Sequence, residues 1–279
     1  MNIIGITGQA GSGKDSVADR LVVEHGYTKI ALADPIKRFG KEIFGFTDKQ
    51  LWGPSENRNL LDPRYDHYCR LRIGGKVFDT NTKLDNLVGE CDPGWLVAAK
   101  CLQRYGNTWL QEVLPGADVA TLHAWMCALG ATYPRVSPRI VLQHLGTEWG
   151  RQVADENIWV NCMLRNAQLV LDGADYDRLT GVVRLAATIE KVTGEAGGGI
   201  VVSDVRFANE LAAIKHAGGK VIQVLRRATD KHALRIGIQE HASELAQQSF
   251  VPTDFDVIIQ NNKTLDELLE HVDVVAGTL

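Results

Sequence analysis

The stretch Gly8 to Ser16 (GQAGSGKDS), near the start of the chain, combines the residue types that hold a phosphate group. Gly8, Gly13 and Lys14 satisfy the GxxxxGK spacing of a P-loop. Glycines at such positions let the backbone curl until successive N–H groups face one anion, and a helix starting at the lysine adds its positive end. Lys14 then reaches the β- and γ-phosphates of a nucleoside triphosphate, and Ala10, Gly11, Ser12, Gly13, Asp15 and Ser16 are candidates for the same cradle. A glycine-rich surface turn would share this composition, and on the order of one chain in ten contains the spacing by chance. Context favours the cradle. An apolar, β-branched run (Asn2 to Thr7) leads in, and Lys14 to His25 follows with Val17, Leu21 and Val22 at helical spacing.

The residue after such a lysine is usually a Ser or Thr that meets Mg²⁺, whereas here it is Asp15, with Ser16 next. A carboxylate is a hard oxygen ligand for Mg²⁺. It is equally a partner for the dipole at a helix N-terminus, with Ser16 assisting the metal. The sequence leaves both open. Farther on, IVVSDVRF sets Asp204 and Arg206 just past a buried-strand pattern, where open α/β sheets gather their ligands. Asp204 is a candidate for positioning metal or water, and Arg206 for clamping a phosphate. A strand-end Asp that caps the next helix is the plainer reading.

Three further stretches carry candidates. LADPIKRFGKEIFG sets Asp34 and Lys37 at the mouth of a second strand, in the first turn of a helix that either receives an acceptor phosphate or is simply capped at the surface. QHLGTEWGRQVADENIWVN supplies Thr147, Glu148, Arg151 and Trp159. Glu148 and Arg151 also suit an i,i+3 pair on a helix face, and Trp159 suits either the core or a stack on a base. Arg226, Arg227, Lys231 and Arg235 cluster in a polar stretch. Phosphoryl transfer needs positive charge over a spread-out transition state, and an arm carrying arginines supplies it on closing. A solvated charge run is the alternative.

Positioning these groups requires a sheet. Strands are expected at Asn2–Thr7, Lys29–Leu32, within IVVSDVR, at Lys220–Leu225 and at Asp256–Gln260, alternating with helices at Lys14–His25, Pro35–Phe44, Phe207–His216 and Thr264–Val275. Thr264 and Glu267 match a capping box. That alternation predicts a mainly parallel sheet covered on both faces. Arg139–Arg151, Ile158–Leu171 and Tyr176–Val192 read as helices. The Pro-, Gly- and Asn-rich text from Leu51 to Arg139 reads as an insertion, broken by short helical patterns near Trp95–Tyr105 and Val119–Leu129.

A net charge of −4 lacks the basic footprint that coating a nucleic acid needs, but it suits one small anionic ligand. The cysteines, Cys69, Cys91, Cys101, Cys127 and Cys162, are odd in number and form no CxxC pair, as expected of reduced thiols in a cytoplasm-like compartment. No 18-residue apolar run is present, so no membrane span is expected, and the opening MNIIGITGQ lacks the basic flank of a signal peptide.

Taken in order, GQAGSGKDSVAD, LADPIKRFGKEIFG, LWGPSENR, LQHLGTEWGR with DENIWVN, VVSDVRFANELAAIKHAGGKVIQVLR and EHASE resemble the phage deoxynucleoside monophosphate kinase family. The likeness runs from Met1 to about Ser249, with residues 70–134 unmatched. It implies an α/β P-loop NTPase fold, a three-layer sandwich with a mainly parallel sheet, as a single domain over 1–279 with an acceptor-side insertion at about 52–138 and a helical lid at about 226–249. ATP with Mg²⁺ as donor, deoxynucleoside monophosphates as acceptors, and nucleotide supply for phage DNA synthesis in the host cytoplasm follow from the same resemblance. An Asp after the P-loop lysine is usual in that family. By resemblance Asp34, Lys37, Arg58, Arg139, Thr147, Glu148, Arg151 and Trp159 line the acceptor side, and Asp204, Arg206 and Glu210 sit where donor and acceptor meet. Arg226, Arg227, His241 and Glu244 resemble the lid and its hinge, with Arg226 also toward ATP. Lys14, Arg151, Asp204 and Arg206 are the expected catalytic groups, Asp15, Ser16 and Asp204 the expected metal contacts, and a homodimer is a common state of such kinases. Two rivals stand: a P-loop kinase of another small phosphorylated metabolite, and an NTP-switched binding module.

Overall fold

The computed structural model describes residues 1–9, 11–65, 71–73, 76–78, 94–133, 135–177, 182–184, 198–226 and 250–278. The chain divides into two compact units, Met1–Leu32 with Val160–Leu279, and Ala33–Trp159.

The first unit is built on five parallel strands in the order β2-β7-β1-β8-β9. They are β1 (Ile3–Thr7), β2 (Thr28–Ile30), β7 (Ile200–Val202), β8 (Lys220–Leu225) and β9 (Val257–Gln260). β1 is central, with Gly5 in register with Val202 on one side and Val221 on the other. Its side chains alternate between two covered faces, which is why every residue of IIGIT is buried. Ile4 and Ile6 pack with Val17 and Leu21 of α1 (Lys14–His25) and with Leu268 and Val272 of a C-terminal helix, α10 (Leu265–Ala276). Gly5 turns the other way, and a Cβ there would lie 2.7 Å from Ile214 of α9 (Ala208–His216). Helices on both faces of a parallel sheet make the expected three-layer sandwich. Each fully buried Ile, Leu or Val contributes about 1.5–3 kcal/mol to holding the layers together.

Local signals set the helix ends. α1 stops at Gly26, whose left-handed φ of 67° lets its N–H bond back to the Leu21 carbonyl. α10 opens with the capping box read from the sequence: Glu267 N–H donates to Thr264 Oγ1 at 3.3 Å, and Thr264 N–H donates to Glu267 Oε2 at 3.1 Å.

The second unit is helical. Its elements include α2 (Asp34–Glu42), α3 (Asp48–Leu51), α4 (Ser55–Asn59), a short hairpin of β3 (Leu71–Ile73) and β4 (Lys76–Phe78), α5 (Gly94–Val113), α6 (Val119–Thr132), α7 (Pro138–His144) and a π-helix (Leu145–Ala154). Its core is aromatic, with Phe39 edge-on to Trp109 at 4.8 Å and Trp109 against Trp149 at 5.9 Å. Buried Arg38 is satisfied by Glu42, one turn on, and by Glu112 of α5. α8 (Ile158–Leu171) has the bounds expected from its sequence.

Three sequence expectations need correcting. The segment beginning at Tyr176 is not a helix over the residues described: β5 (Asp175–Asp177) pairs antiparallel with β6 (Val182–Arg184). Its β-branched and aromatic residues favour a pleated ribbon over the helical spacing the wider window suggested. Helix α5 runs past Tyr105 to Val113, longer than the short pattern near Trp95–Tyr105 suggests. Finally, the helix expected over Arg139–Arg151 widens into the π-helix from Leu145 onward. Among the described residues no helix is long and apolar enough to cross a membrane. Cys101, Cys127 and Cys162 are free thiols, while Cys69 and Cys91 fall outside the described residues.

Helices α1 and α10 are also tied by charge. Arg20 grips Asp273 with two bonds of 3.0 and 2.6 Å, and His25 Nε2 lies 2.8 Å from the same carboxylate. Arg20 first, and His25 second, hold the Asp273 carboxyl down at about 2, against an ordinary 3.8. A depressed carboxylate stabilises the fold above its unfolded value, and that gain is lost as pH falls through the folded one. Wild-type stability should therefore drop between about pH 4 and pH 2 more steeply than that of Asp273→Asn. Melting temperature against pH for the two proteins measures this, and parallel curves would contradict it.

Candidate active site

The GxxxxGK segment forms a turn where β1 runs into α1. Gly11 and Gly13 take left-handed φ values of 79° and 97°, where a side chain would be strained. Ser12 N–H donates to the Gln9 carbonyl at 3.1 Å, closing the loop. The opposite wall is Asn261, just past β9: its Nδ2 donates to the Ser12 carbonyl at 2.8 Å, and its own N–H donates to the Leu225 carbonyl at 2.7 Å. A Cβ on Gly13 would come within 2.4 Å of that amide. Glycine is thus required at this position twice over, by backbone angle and by space.

Several features fit the cradle to a phosphate chain. Ser12 Oγ is buried with no protein partner among the described residues. Gly13 opens α1, directing the positive end of a three-turn helix at the same place. Lys14 is mostly buried beside the loop. Burial pushes its ammonium below the ordinary lysine range; Asp15 opposes that shift, Arg206 adds to it, Asp204 opposes it, and Lys29 adds to it. Asp204 and Arg206 thus lie within electrostatic reach of Lys14. Asp204 follows β7, and its Oδ1 accepts the Leu32 N–H at 2.9 Å. The carboxyl ends of β2, β7 and β1 therefore converge on the cradle. Glu210, buried at the start of α9, accepts the N–H groups of Arg206 at 2.7 Å and Phe207 at 3.0 Å. It fixes the turn that carries Arg206. Arg226 Nη1 reaches the Gly11 carbonyl at 3.5 Å. Among the described residues no three His, Cys, Asp or Glu side chains gather as a metal cage.

The other candidates lie in the second unit. Asp34 is buried in the first turn of α2. Lys37 Nζ stands 5.7 Å from the Trp52 ring centroid, as does Lys41 Nζ. Arg58 Nη1 donates to the Leu51 carbonyl at 3.1 Å, and Arg139 Nε donates to Asn59 Oδ1, which links α7 to α4. Thr147, Glu148 and Arg151 all lie on the π-helix, where Glu148 meets His144 one turn earlier. Trp159 is in the core: its ring contacts Trp109 and Trp149, its Nε1 donates to the Gly146 carbonyl at 2.7 Å, and a Cβ on Gly150 would strike it at 2.5 Å. Ala10, Arg227, His241 and Glu244 lie outside the described residues, as does the lid segment beyond Arg226.

Sequence reasoning missed Asn261, Lys29 and Asp19. A lysine interrupting the apolar run TKIAL, and an Asn ending the last strand, were the available signals.

No family model matches the chain. A protein of Acanthamoeba polyphaga mimivirus that carries the provisional name deoxynucleotide monophosphate kinase is 24% identical over 272 residues, covering 98% of this chain and 94% of its own length.

The geometry sets an expectation for Asn261→Ala. Losing the amide leaves the buried Ser12 carbonyl unsatisfied, so stability should fall by about 1–3 kcal/mol in denaturant unfolding. Unchanged stability in the variant would show that Asn261 does not brace the loop.

Proposed function

We propose that the chain is a nucleotide kinase that transfers the γ-phosphoryl group of ATP to a deoxynucleoside monophosphate, giving ADP and a deoxynucleoside diphosphate. The observation that carries this reading is the glycine turn after β1, with Lys14, Asp204 and Arg206 gathered at the carboxyl edge of the parallel sheet. The mimivirus relative, matched along nearly its whole length, supports the same reaction class. Nucleotide supply for viral or phage DNA synthesis is the role that agrees with it.

The attacking group is an oxygen of a monophosphate, already an anion, so no general base is needed. The rate then depends on alignment and on neutralising charge over the three equatorial oxygens of the group in flight. Backbone N–H groups of Gly11, Gly13 and Lys14 hold the donor phosphates, and Lys14 spans the β- and γ-phosphates. Arg206 draws the acceptor phosphate toward the γ-phosphoryl group, with Glu210 fixing its backbone. Arg226 closes on the donor side from the first residue of the 226–249 lid. Ser16 and Asp204 are the groups that would hold Mg²⁺, which supplies charge neutralisation at the bridging oxygens. In the second unit, Asp34, Lys37, Arg58, Arg139, Thr147, Glu148 and Arg151 are assigned to the acceptor, in or beside the 52–138 insertion.

Lys14→Ala should lower kcat/KM by about a thousandfold or more while leaving the melting temperature within a few degrees of wild type. ADP formation with ATP, Mg²⁺ and each common monophosphate, in ribo and deoxy form, measures it. Wild-type turnover in the purified variant would overturn the mechanism.

A further inference from the structure

The acid that departs from the usual P-loop pattern has an unexpected neighbour. Lys29, in the middle of β2, keeps its side chain only 3% exposed, yet its ammonium ends 2.8 Å from Asp19 Oδ1 and 3.8 Å from Asp15 Oδ1. Asp15 and Asp19 are four residues apart on α1, so they share a face of the helix. The second Asp15 oxygen, Oδ2, lies 3.9 Å from Lys14 Nζ. Each oxygen of this carboxylate therefore faces a different ammonium group, one buried under the helix and one beside the phosphate cradle. An ammonium withdrawn from water is retained only where it is paired; Lys29 makes its close pair with Asp19 and meets Asp15, one turn earlier on α1, at the longer distance.

We infer that Asp15 is a strut between two lysines rather than a metal ligand, and that Lys29 is a positioning residue for the donor site. Lys29 anchors Asp15, and Asp15 sets where the Lys14 ammonium stands over the donor phosphates. With its two oxygens directed at Lys29 and Lys14, Asp15 faces ammonium groups, which leaves the metal to Ser16 and Asp204. The inference rests on the kinase reading for its purpose, while its geometry stands without it.

A double-mutant cycle on the full chain tests the strut, using Lys29→Met, Asp15→Asn and the pair together. The first readout is ATP affinity without metal, by calorimetry; the second is Mn²⁺ affinity of the ADP complex, by electron paramagnetic resonance. Each single change should weaken metal-free ATP binding by about tenfold, and the pair should lose no more than either alone. Lys29→Arg should recover to within about threefold of wild type, and Asp15→Asn should hold Mn²⁺ within about twofold. Losses that multiply would mean Lys29 acts independently of Asp15. An Asp15→Asn variant with Mn²⁺ affinity down by about tenfold would make Asp15 a metal ligand. Either result, or wild-type ATP affinity in Lys29→Met, overturns the inference. If Lys29→Met lacks a melting transition, Lys29→Gln takes its place in the cycle. Because ATP binding is read without turnover, a wild-type protein that phosphorylates no monophosphate would sink the kinase reading and leave the strut standing.

Discussion

A run of backbone N–H groups can face an anion only if the chain is held in a conformation it would not adopt alone. In the first unit that constraint falls on the turn between β1 and α1. Two glycines supply left-handed backbone angles, Asn261 braces the Ser12 carbonyl from the far end of the sheet, and α1 is pinned through Val17 and Leu21 to the buried face of β1 and its neighbours. The cradle is thus as rigid as the sandwich beneath it. This is what pre-organised charge stabilisation needs, because donors already in place cost nothing to reorient during reaction.

Buried charges in the two units serve different ends. In the second unit Arg38 is balanced by Glu42 and Glu112, and hydrogen bonds to those carboxylates hold its proton more tightly against the cost of burial. Such a clamp ties α2 to α5. Lys14 sits in the opposite situation: burial dominates, two carboxylates and two cations surround it, and the balance lowers its hold on a proton. A cation left under-compensated in a phosphate-shaped turn gains the most when a phosphate arrives. A net charge of −4 does not oppose such a site, since the local charge rather than the total decides what a turn attracts.

Much of the first unit was legible because its signals are local. The run IIGIT, the glycines after it, the Val17 and Leu21 spacing and the Thr264–Glu267 box each specify their element over a few residues, and the sandwich follows from their alternation. The second unit was less so. The turn-rich composition between Leu51 and Arg139 concealed α5, whose burial depends on aromatic partners distant in sequence. The π-helix was invisible to a 3.6-residue period; in it Gly146 offers its carbonyl to Trp159 Nε1 and Gly150 packs against the same ring. In the site, Lys14 was read from motif spacing, and Asp204 and Arg206 from the strand end they follow. Asn261 and Lys29 were not, because their roles exist only once β9 and β2 lie beside the loop.

The central claim is that this cradle passes a phosphoryl group to a second phosphate rather than to water. The most direct measurement incubates the protein with γ-³²P-ATP, Mg²⁺ and single deoxynucleoside monophosphates, then separates the products. The account predicts label in the deoxynucleoside diphosphate, formed in step with ADP and absent when the monophosphate is withheld. Label released as inorganic phosphate at a rate indifferent to every monophosphate would contradict it.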